Sequence, residues 1–324
     1  MLSIYISHAR GLARTEASGT QLIPDNAVWV DLLEPSIEEE RMVERELGLE
    51  VPSREEMREI ETSNRLYEEN GVLYMTATVA ARVETSRPES TAITFIVANG
   101  RLITNRYIDT QSFRQFINYA ERHAPACNSA ISILAGLIDA ITERIADTLE
   151  RVGSDLDAVS VNIFEAEANR TNAKRDLRVL LERIGFNGEL NSKARESLVS
   201  LARMLVFLQQ STSISLSDEQ RQRFRSIATD AAALSDHASF LGSKVSFLLE
   251  ATLGLINLEQ NNIIKIFSVA AVMFMPPTLI ASVYGMNFHA MPELSWEFGY
   301  LYAVVLMIGS IVGIYFYFKR RGWL

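Results

Sequence analysis

The chain has 324 residues, 48% of them hydrophobic, with a formal net charge of −9; that is enough length and apolar content for a folded core and too much for a disordered chain. The acidic balance offers no basic face for phosphate, so no nucleic-acid partner is expected, and acidic surfaces favour cations. The single cysteine, Cys127, rules out an internal disulfide and agrees with a reducing compartment for the bulk of the chain.

Met1 to His8 lacks a charged segment followed by an unbroken apolar run, so no cleaved secretion signal is read there. The first 125 residues alternate short β-rich runs at Ser3–Ile6, Ala27–Leu32, Val72–Ala81, Thr91–Val97 and Arg101–Asn105 with helical patterns. Ser36 followed by Glu39 predicts a capping box at the start of a helix reaching Leu47. An α/β domain over 1–125 is expected. Its carboxylates at Glu38, Glu39, Glu40, Glu55, Glu56 and Glu59 read as solvated helix faces and not as metal ligands. His123 lies four residues before Cys127, but Pro125 breaks the helical face between them and two ligands do not complete a zinc site. His8 and His237 read as surface or packing histidines.

From 126 to 263 the texture becomes helical. Leu134, Ile138, Ile141, Ile145, Leu149, Val152, Leu156, Val159 and Ile163 recur at steps of three and four. Leu198, Leu201, Leu205 and Leu208 repeat the pattern after the turn signal Asn187-Gly188, which predicts an antiparallel helical hairpin. A third stripe, Phe224, Ile227, Ala231, Leu234, Ala238, Leu241, Val245 and Leu248, opens a helix with no proline before Pro276. Unbroken from about Ser217 to Tyr284, it would be on the order of 100 Å long. The bland account of these stripes, helix packing, is preferred. Enzyme signatures are missing: Gly242-Ser243-Lys244 lacks the upstream glycine of a phosphate loop, and there is no His-Glu-x-x-His or Cys-x-x-Cys. Neither enzymatic activity nor a resident cofactor is expected.

Ile266 to Gly285 carries no Asp, Glu, Lys or Arg, and a helix of that length covers about 30 Å of hydrocarbon. Phe298 to Phe318 is a second such stretch. Lys265 flanks the first span and Lys319, Arg320 and Arg321 the second, while the connecting residues 286–297 hold Glu293 and Glu297 but no cation. The positive-inside rule then puts both termini in the cytoplasm and the loop outside. The expected division is a cytoplasmic α/β domain (1–125), a helical hairpin and stalk (126–263), a first span (264–285), an external loop (286–297), a second span (298–318) and a basic tail (319–324). Pro276-Pro277 removes backbone donors and is expected to interrupt the first span, which in lipid calls for neighbouring helices or a lumen. Gly309 and Gly313 have the spacing that lets helices approach closely.

Tyr284-Gly285-Met286-Asn287-Phe288 followed by Met291-Pro292-Glu293-Leu294 resembles the signature of the CorA family of magnesium transporters, Gly-Met-Asn after the first of two C-terminal helices. The resemblance takes in Met275-Pro276, Thr278, Phe298-Gly299-Tyr300 and the tail Lys319–Trp323, and more loosely Val28-Trp29-Val30-Asp31-Leu32 and Arg65-Leu66-Tyr67-Glu68-Glu69. It implies a homopentamer in a bacterial cytoplasmic (inner) membrane, with lipid and divalent cations as the other partners. It also implies a Gly285-Met286-Asn287 selectivity ring at the outer mouth, with Glu293 and Glu297 concentrating cations there. Asn261, Ile264, Phe267, Ala271, Met275 and Thr278 would line the pore, Phe267 standing where the family carries aliphatic residues. Ser226 occupies the position of a regulatory aspartate, which leaves Asp230 as the nearest acid for a regulatory divalent cation. A zinc-moving branch departs from the methionine of the motif, whereas Met286 is retained, so magnesium is favoured over zinc, with cobalt and nickel as further cargo. A membrane-anchored coiled-coil scaffold or sensor would explain the stalk, but not a polar tripeptide at the end of a span.

Overall fold

The computed structural model describes the chain except residues 9–10, 17–22, 124–126, 169–175, 287–290 and 324. It forms two compact units, Met1–Leu249 and Glu250–Leu324.

The first unit is built on one mixed sheet of seven strands in the order β2-β1-β3-β7-β6-β5-β4. The strands are β1 (Leu2–His8), β2 (Gly11–Glu16), β3 (Ala27–Leu33), β4 (Leu66–Glu69), β5 (Val72–Ala81), β6 (Glu89–Ala98) and β7 (Arg101–Arg106). All the β-rich runs read from sequence are strands. β2 and β4 were not legible, because they are edge strands whose Gly-Leu-Ala-Arg-Thr-Glu and Leu-Tyr-Glu-Glu sequences lack a hydrophobic alternation. Among the described residues only β3 and β7 pair in parallel, with Asp31 opposite Thr104. The others are antiparallel, and β5 and β6 keep an unbroken register from Leu73↔Val97 to Ala81↔Glu89.

Helix α1 (Ile37–Leu47) starts with the expected capping box. The Glu39 N–H donates to Ser36 Oγ at 3.2 Å, and Glu39 Oε2 accepts from the Ser36 N–H at 2.9 Å. Glu39 does more than close the helix, since its carboxylate also accepts from the Met1 ammonium and the Leu2 N–H, each at 2.9 Å. Burial opposes its charge, yet these donors together hold its carboxyl below the usual range. The helix ends where Gly48, at φ +62°, takes the left-handed conformation that lacks a Cβ penalty only in glycine. After it come the short α2 (Thr62–Arg65) and, beyond β7, α3 (Gln111–Ala120).

At the parallel seam a buried ion pair organises the core. Arg106 donates to both oxygens of Asp31, at 2.7 and 3.0 Å, with each side chain 3% exposed. Thr104 Oγ1 donates to Asp31 Oδ1 at 2.7 Å and accepts from Trp29 Nε1 at 2.9 Å. Trp29 stacks on Tyr5 with centroids 4.4 Å apart, and the Arg106 guanidinium lies 4.5 Å over the Phe113 ring. Burial would weaken the guanidinium's charge, but its bonds to Asp31 and Asp109 keep its pKa above the ordinary value. The Val28–Leu32 segment therefore anchors the sheet; Trp29 and Asp31 face the core network and not solvent.

Helices α4 (Ala130–Ala168) and α5 (Leu177–Gln210) carry the expected stripes, buried from Leu134 to Ile163 and from Leu198 to Leu208. Asn187-Gly188 is not the hairpin turn. α5 runs straight through it: Asn187 is buried and donates to the Arg183 carbonyl at 2.9 Å, well inside the bounds Leu177–Gln210. Gly188 has a packing task instead, because a Cβ there would sit 3.2 Å from Val245 Cγ1. Serines fasten α5 to β5: Ser200 Oγ accepts from the Thr78 N–H at 2.9 Å and Ser197 Oγ from the Ala80 N–H at 2.8 Å. Within this unit the next helix, α6 (Asp218–Tyr284), is tied to α4 by Lys244 to Asp157 at 2.6 Å and Arg223 to Asp139 at 3.6 Å. The lysine of the false phosphate loop is thus a structural cation. Cys127 is buried, and burial pushes its thiol up to about 11.

Candidate functional site

Helix α6 spans Asp218–Tyr284 and α7 spans Gly299–Arg320; the apolar part of each is long enough to cross a membrane. Neither is a soluble core helix, since almost none of either apolar stretch is buried. Large apolar side chains face outward along both, including Ile266, Phe274, Leu279, Leu301, Val305 and Ile308. An apolar surface on this scale needs lipid or protein against it.

From Val269 onward the buried and half-buried residues of α6, namely Val269, Ala270, Met273, Pro276, Pro277, Ile280 and Tyr284, make one stripe. On α7, Gly299, Ala303, Met307, Ser310, Ile314 and Phe318 make another. These are the faces the two helices turn toward each other. The six candidate lining residues, Asn261, Ile264, Phe267, Ala271, Met275 and Thr278, are all exposed, Phe267 at 71% and Met275 at 66%. At roughly 100° per residue their mean direction lies about 180° around α6 from the stripe that meets α7. They share a face that the chain's own second span leaves uncovered.

The prolines do not interrupt the helix. α6 is continuous through Pro276 and Pro277, which are half-buried on the α7 side. Each proline lacks the N–H that would reach four residues back, so the carbonyls of Val272 and Met273 lose their helical donors, yet neighbouring hydrogen bonds keep the backbone in register. Thr278 Oγ1 adds a bond to the Phe274 carbonyl at 2.7 Å. Gly309 and Gly313 are exposed, and a Cβ on either would meet nothing within 4 Å. Their small-residue face is not used in packing against α6.

At the end of α6 the Gly285 N–H still donates to the Ala281 carbonyl at 2.9 Å and the Met286 N–H to Val283 at 3.3 Å. A Cβ on Gly285 would come within 3.0 Å of the Ala281 oxygen, so a small residue suits this tight exit. Met286 is exposed. Asn287 lies outside the described residues, as does the Glu293 side chain. Glu297 is exposed just before α7, where Trp296 packs near Tyr302 with centroids 5.8 Å apart. Asp230 and Ser226 are exposed on the first-unit part of α6. Among the described residues no three His, Cys, Asp or Glu side chains converge as metal ligands.

A family model described as "CorA-like Mg2+ transporter protein" matches residues 24–320. The chain belongs to the CorA family. It is 37% identical over 325 aligned positions to the magnesium transport protein CorA of Salmonella typhimurium, and 36% identical to that of Escherichia coli K12, covering all of each chain. Its fold is that of the complete CorA magnesium transporter from Methanocaldococcus jannaschii, with a TM-score of 0.77 at 18% identity over 100% of this chain and 99% of that one. The full-length CmaX protein shares the fold at a TM-score of 0.69 and 16% identity, covering 98% and 97%. The CorA architecture of a soluble α/β domain, long helices and two C-terminal apolar helices that could span a membrane is the one described above.

Sequence reasoning located the two spans and the tripeptide between them. Through the resemblance it put Asn261, Ile264, Phe267, Ala271, Met275 and Thr278 on one lining face, but it did not identify the opposite side of α6. The signal was present, because Val269, Met273, Ile280 and Tyr284 alternate with the candidate lining set at helical spacing, but between Asn261 and Thr278 the lining set is as apolar as the opposite side, so polarity could not distinguish them there.

Proposed function

We propose that the chain carries divalent cations, chiefly Mg²⁺, across the bacterial cytoplasmic membrane as a homopentamer with both termini in the cytoplasm. The supporting arrangement is the exposed face of α6 from Asn261 to Thr278, opposite the side that meets α7. Five copies around an axis would cover that face and enclose a lumen, leaving α7 toward lipid. In support stand the full-length likeness to magnesium transport proteins and the position of Gly285-Met286-Asn287 where α6 ends.

Mg²⁺ is small, prefers octahedral oxygen coordination and gives up water reluctantly. A ring of Asn287 amides with the Gly285 and Met286 carbonyls would hydrogen-bond the hydrated ion without holding it too tightly to release. Glu293 and Glu297 would raise the local cation concentration. Along the bore, Ile264, Phe267, Ala271 and Met275 offer no ligand, so a hydrated ion would pass weakly bound between Thr278 and Asn261. The same reading places a regulatory divalent cation on the cytoplasmic side, with Asp230 as the candidate acid.

Asn287→Ala should abolish divalent uptake into liposomes while the oligomer survives size-exclusion chromatography. Unchanged uptake would sink the selectivity assignment. Running the wild type in parallel with Mg²⁺, Co²⁺, Ni²⁺ and Zn²⁺ ranks the cargo.

A further inference from the structure

The cytoplasmic end of α7 is closed by a built motif. Gly322, at φ +69°, donates its N–H to the Lys319 carbonyl at 3.2 Å, and the Trp323 N–H donates to the Phe318 carbonyl at 3.0 Å. This is the Schellman pattern, in which the residue after the left-handed glycine makes an apolar contact back onto the helix. Trp323 does so, stacking on Phe318 with centroids 5.5 Å apart.

The last carbonyls are thereby taken by backbone donors, and the three cations of the final turn are left for something else. Lys319 lies 5.7 Å over the Tyr315 ring and the Arg321 guanidinium 5.6 Å over Tyr317. Those contacts fix two of the three charges along the flank of the helix, where lipid would lie. Arg320 is exposed, and among the described residues no ion pair of Lys265, Lys319, Arg320 or Arg321 with a carboxylate occurs. Lys265 lies about five turns before the end of α6, and Lys319 about five turns after the start of α7. In a helix pair joined at those ends, the four cations share one level.

We propose that this collar binds the phosphate of an anionic phospholipid headgroup in the inner leaflet. Guanidinium groups suit phosphate oxygens through paired N–H donors, and an ammonium beside them adds charge. Tyrosine and tryptophan at the same level are the side chains that settle at a headgroup boundary, with apolar bodies toward the acyl chains. Basic residues immediately cytoplasmic of a span are attracted to anionic lipid, and symmetry would repeat the collar around the assembly. The assignment rests on the proposed topology, with both termini cytoplasmic.

The test uses the full chain carrying Trp296→Phe, reconstituted in vesicles, with Trp29 sealed in the core of the first unit. Quenching of Trp323 fluorescence by brominated phosphatidylglycerol is compared with that by brominated phosphatidylcholine at equal mole fraction. The expected result is a several-fold preference for phosphatidylglycerol, lost in a Lys319→Gln, Arg320→Gln, Arg321→Gln variant and kept in an Arg320→Lys, Arg321→Lys variant. Equal quenching by both lipids, or a preference that survives the glutamines, overturns the headgroup assignment alone. No quenching by either lipid overturns it together with the topology. If inorganic phosphate removes the preference where chloride of the same ionic strength does not, the collar reads free phosphate and the lipid assignment falls.

Discussion

The two units of this chain satisfy their side chains in opposite ways. In Met1–Leu249 the polar groups most expensive to bury meet partners from the same chain: Asp31 and Arg106 engage each other, Thr104 and Trp29 complete the network, and serines of α5 take up N–H groups of β5. In Glu250–Leu324 the helices keep their own backbone bonds, but Phe267, Met275, Leu279 and Leu301 face outward. One unit covers its apolar surface within the chain, and the other leaves apolar surface for lipid or protein to cover. A soluble domain must hide apolar surface within itself, whereas a membrane hairpin only has to satisfy its backbone internally.

The sharpest way to break this comparison is cross-linking. In a Cys127→Ser background, Phe267→Cys should form oxidised dimers nearly completely and Val269→Cys almost none, because the first lies on the uncovered side of α6 and the second is 4% exposed toward α7. Gel electrophoresis without reductant reads the outcome. Equal cross-linking at both positions would remove the assignment of the uncovered face to a shared axis.

Next in size is Asp31→Ala, which leaves the Arg106 guanidinium buried without its main partner. It should cost about 3–5 kcal/mol of first-unit stability, read by thermal unfolding in detergent. A second substitution, Arg106→Met, should recover much of that loss, since removing both charges avoids an unpaired one. If Asp31→Ala is nearly neutral, the unit is not held by its buried network.

The smallest expected effect is at the cap. Ser36→Ala should cost about 1 kcal/mol. Glu39 is a carboxyl with a lowered folded pKa, so its contribution is present above the unfolded pKa and lost as pH falls through the folded one. Glu39→Gln should therefore flatten the acid side of the stability profile and leave the slope near neutral pH unchanged. A profile unaltered in acid would show that the tie between Met1, Leu2 and Ser36 carries no linked proton.

Much of this was legible beforehand because periodicity and hydropathy are local properties. The strands with β-branched runs, the capping box, the helical stripes and both spans follow from side chains within a few residues of one another. The hairpin turn was misplaced because Asn187 and Gly188 resemble turn residues by type. In the fold both lie inside α5, where Asn187 donates to the Arg183 carbonyl and Gly188 packs closely on Val245, more than fifty positions away, contacts that residue type alone does not announce. The same holds for Pro276-Pro277, where half-burial against α7 and the surrounding hydrogen bonds keep the helix whole.

By itself the sequence determined that this chain has a soluble α/β part, long helices and two apolar C-terminal segments around Gly285-Met286-Asn287, since composition and spacing are enough to choose between water, core and bilayer. Only the tertiary structure decided that Trp29 and Asp31 serve the core, that α5 runs unbroken, and that α6 turns Val269 toward α7 and Phe267 away. Each of those outcomes depends on which surfaces meet across long separations in the chain, and packing geometry, unlike hydropathy, is not a property of any single stretch.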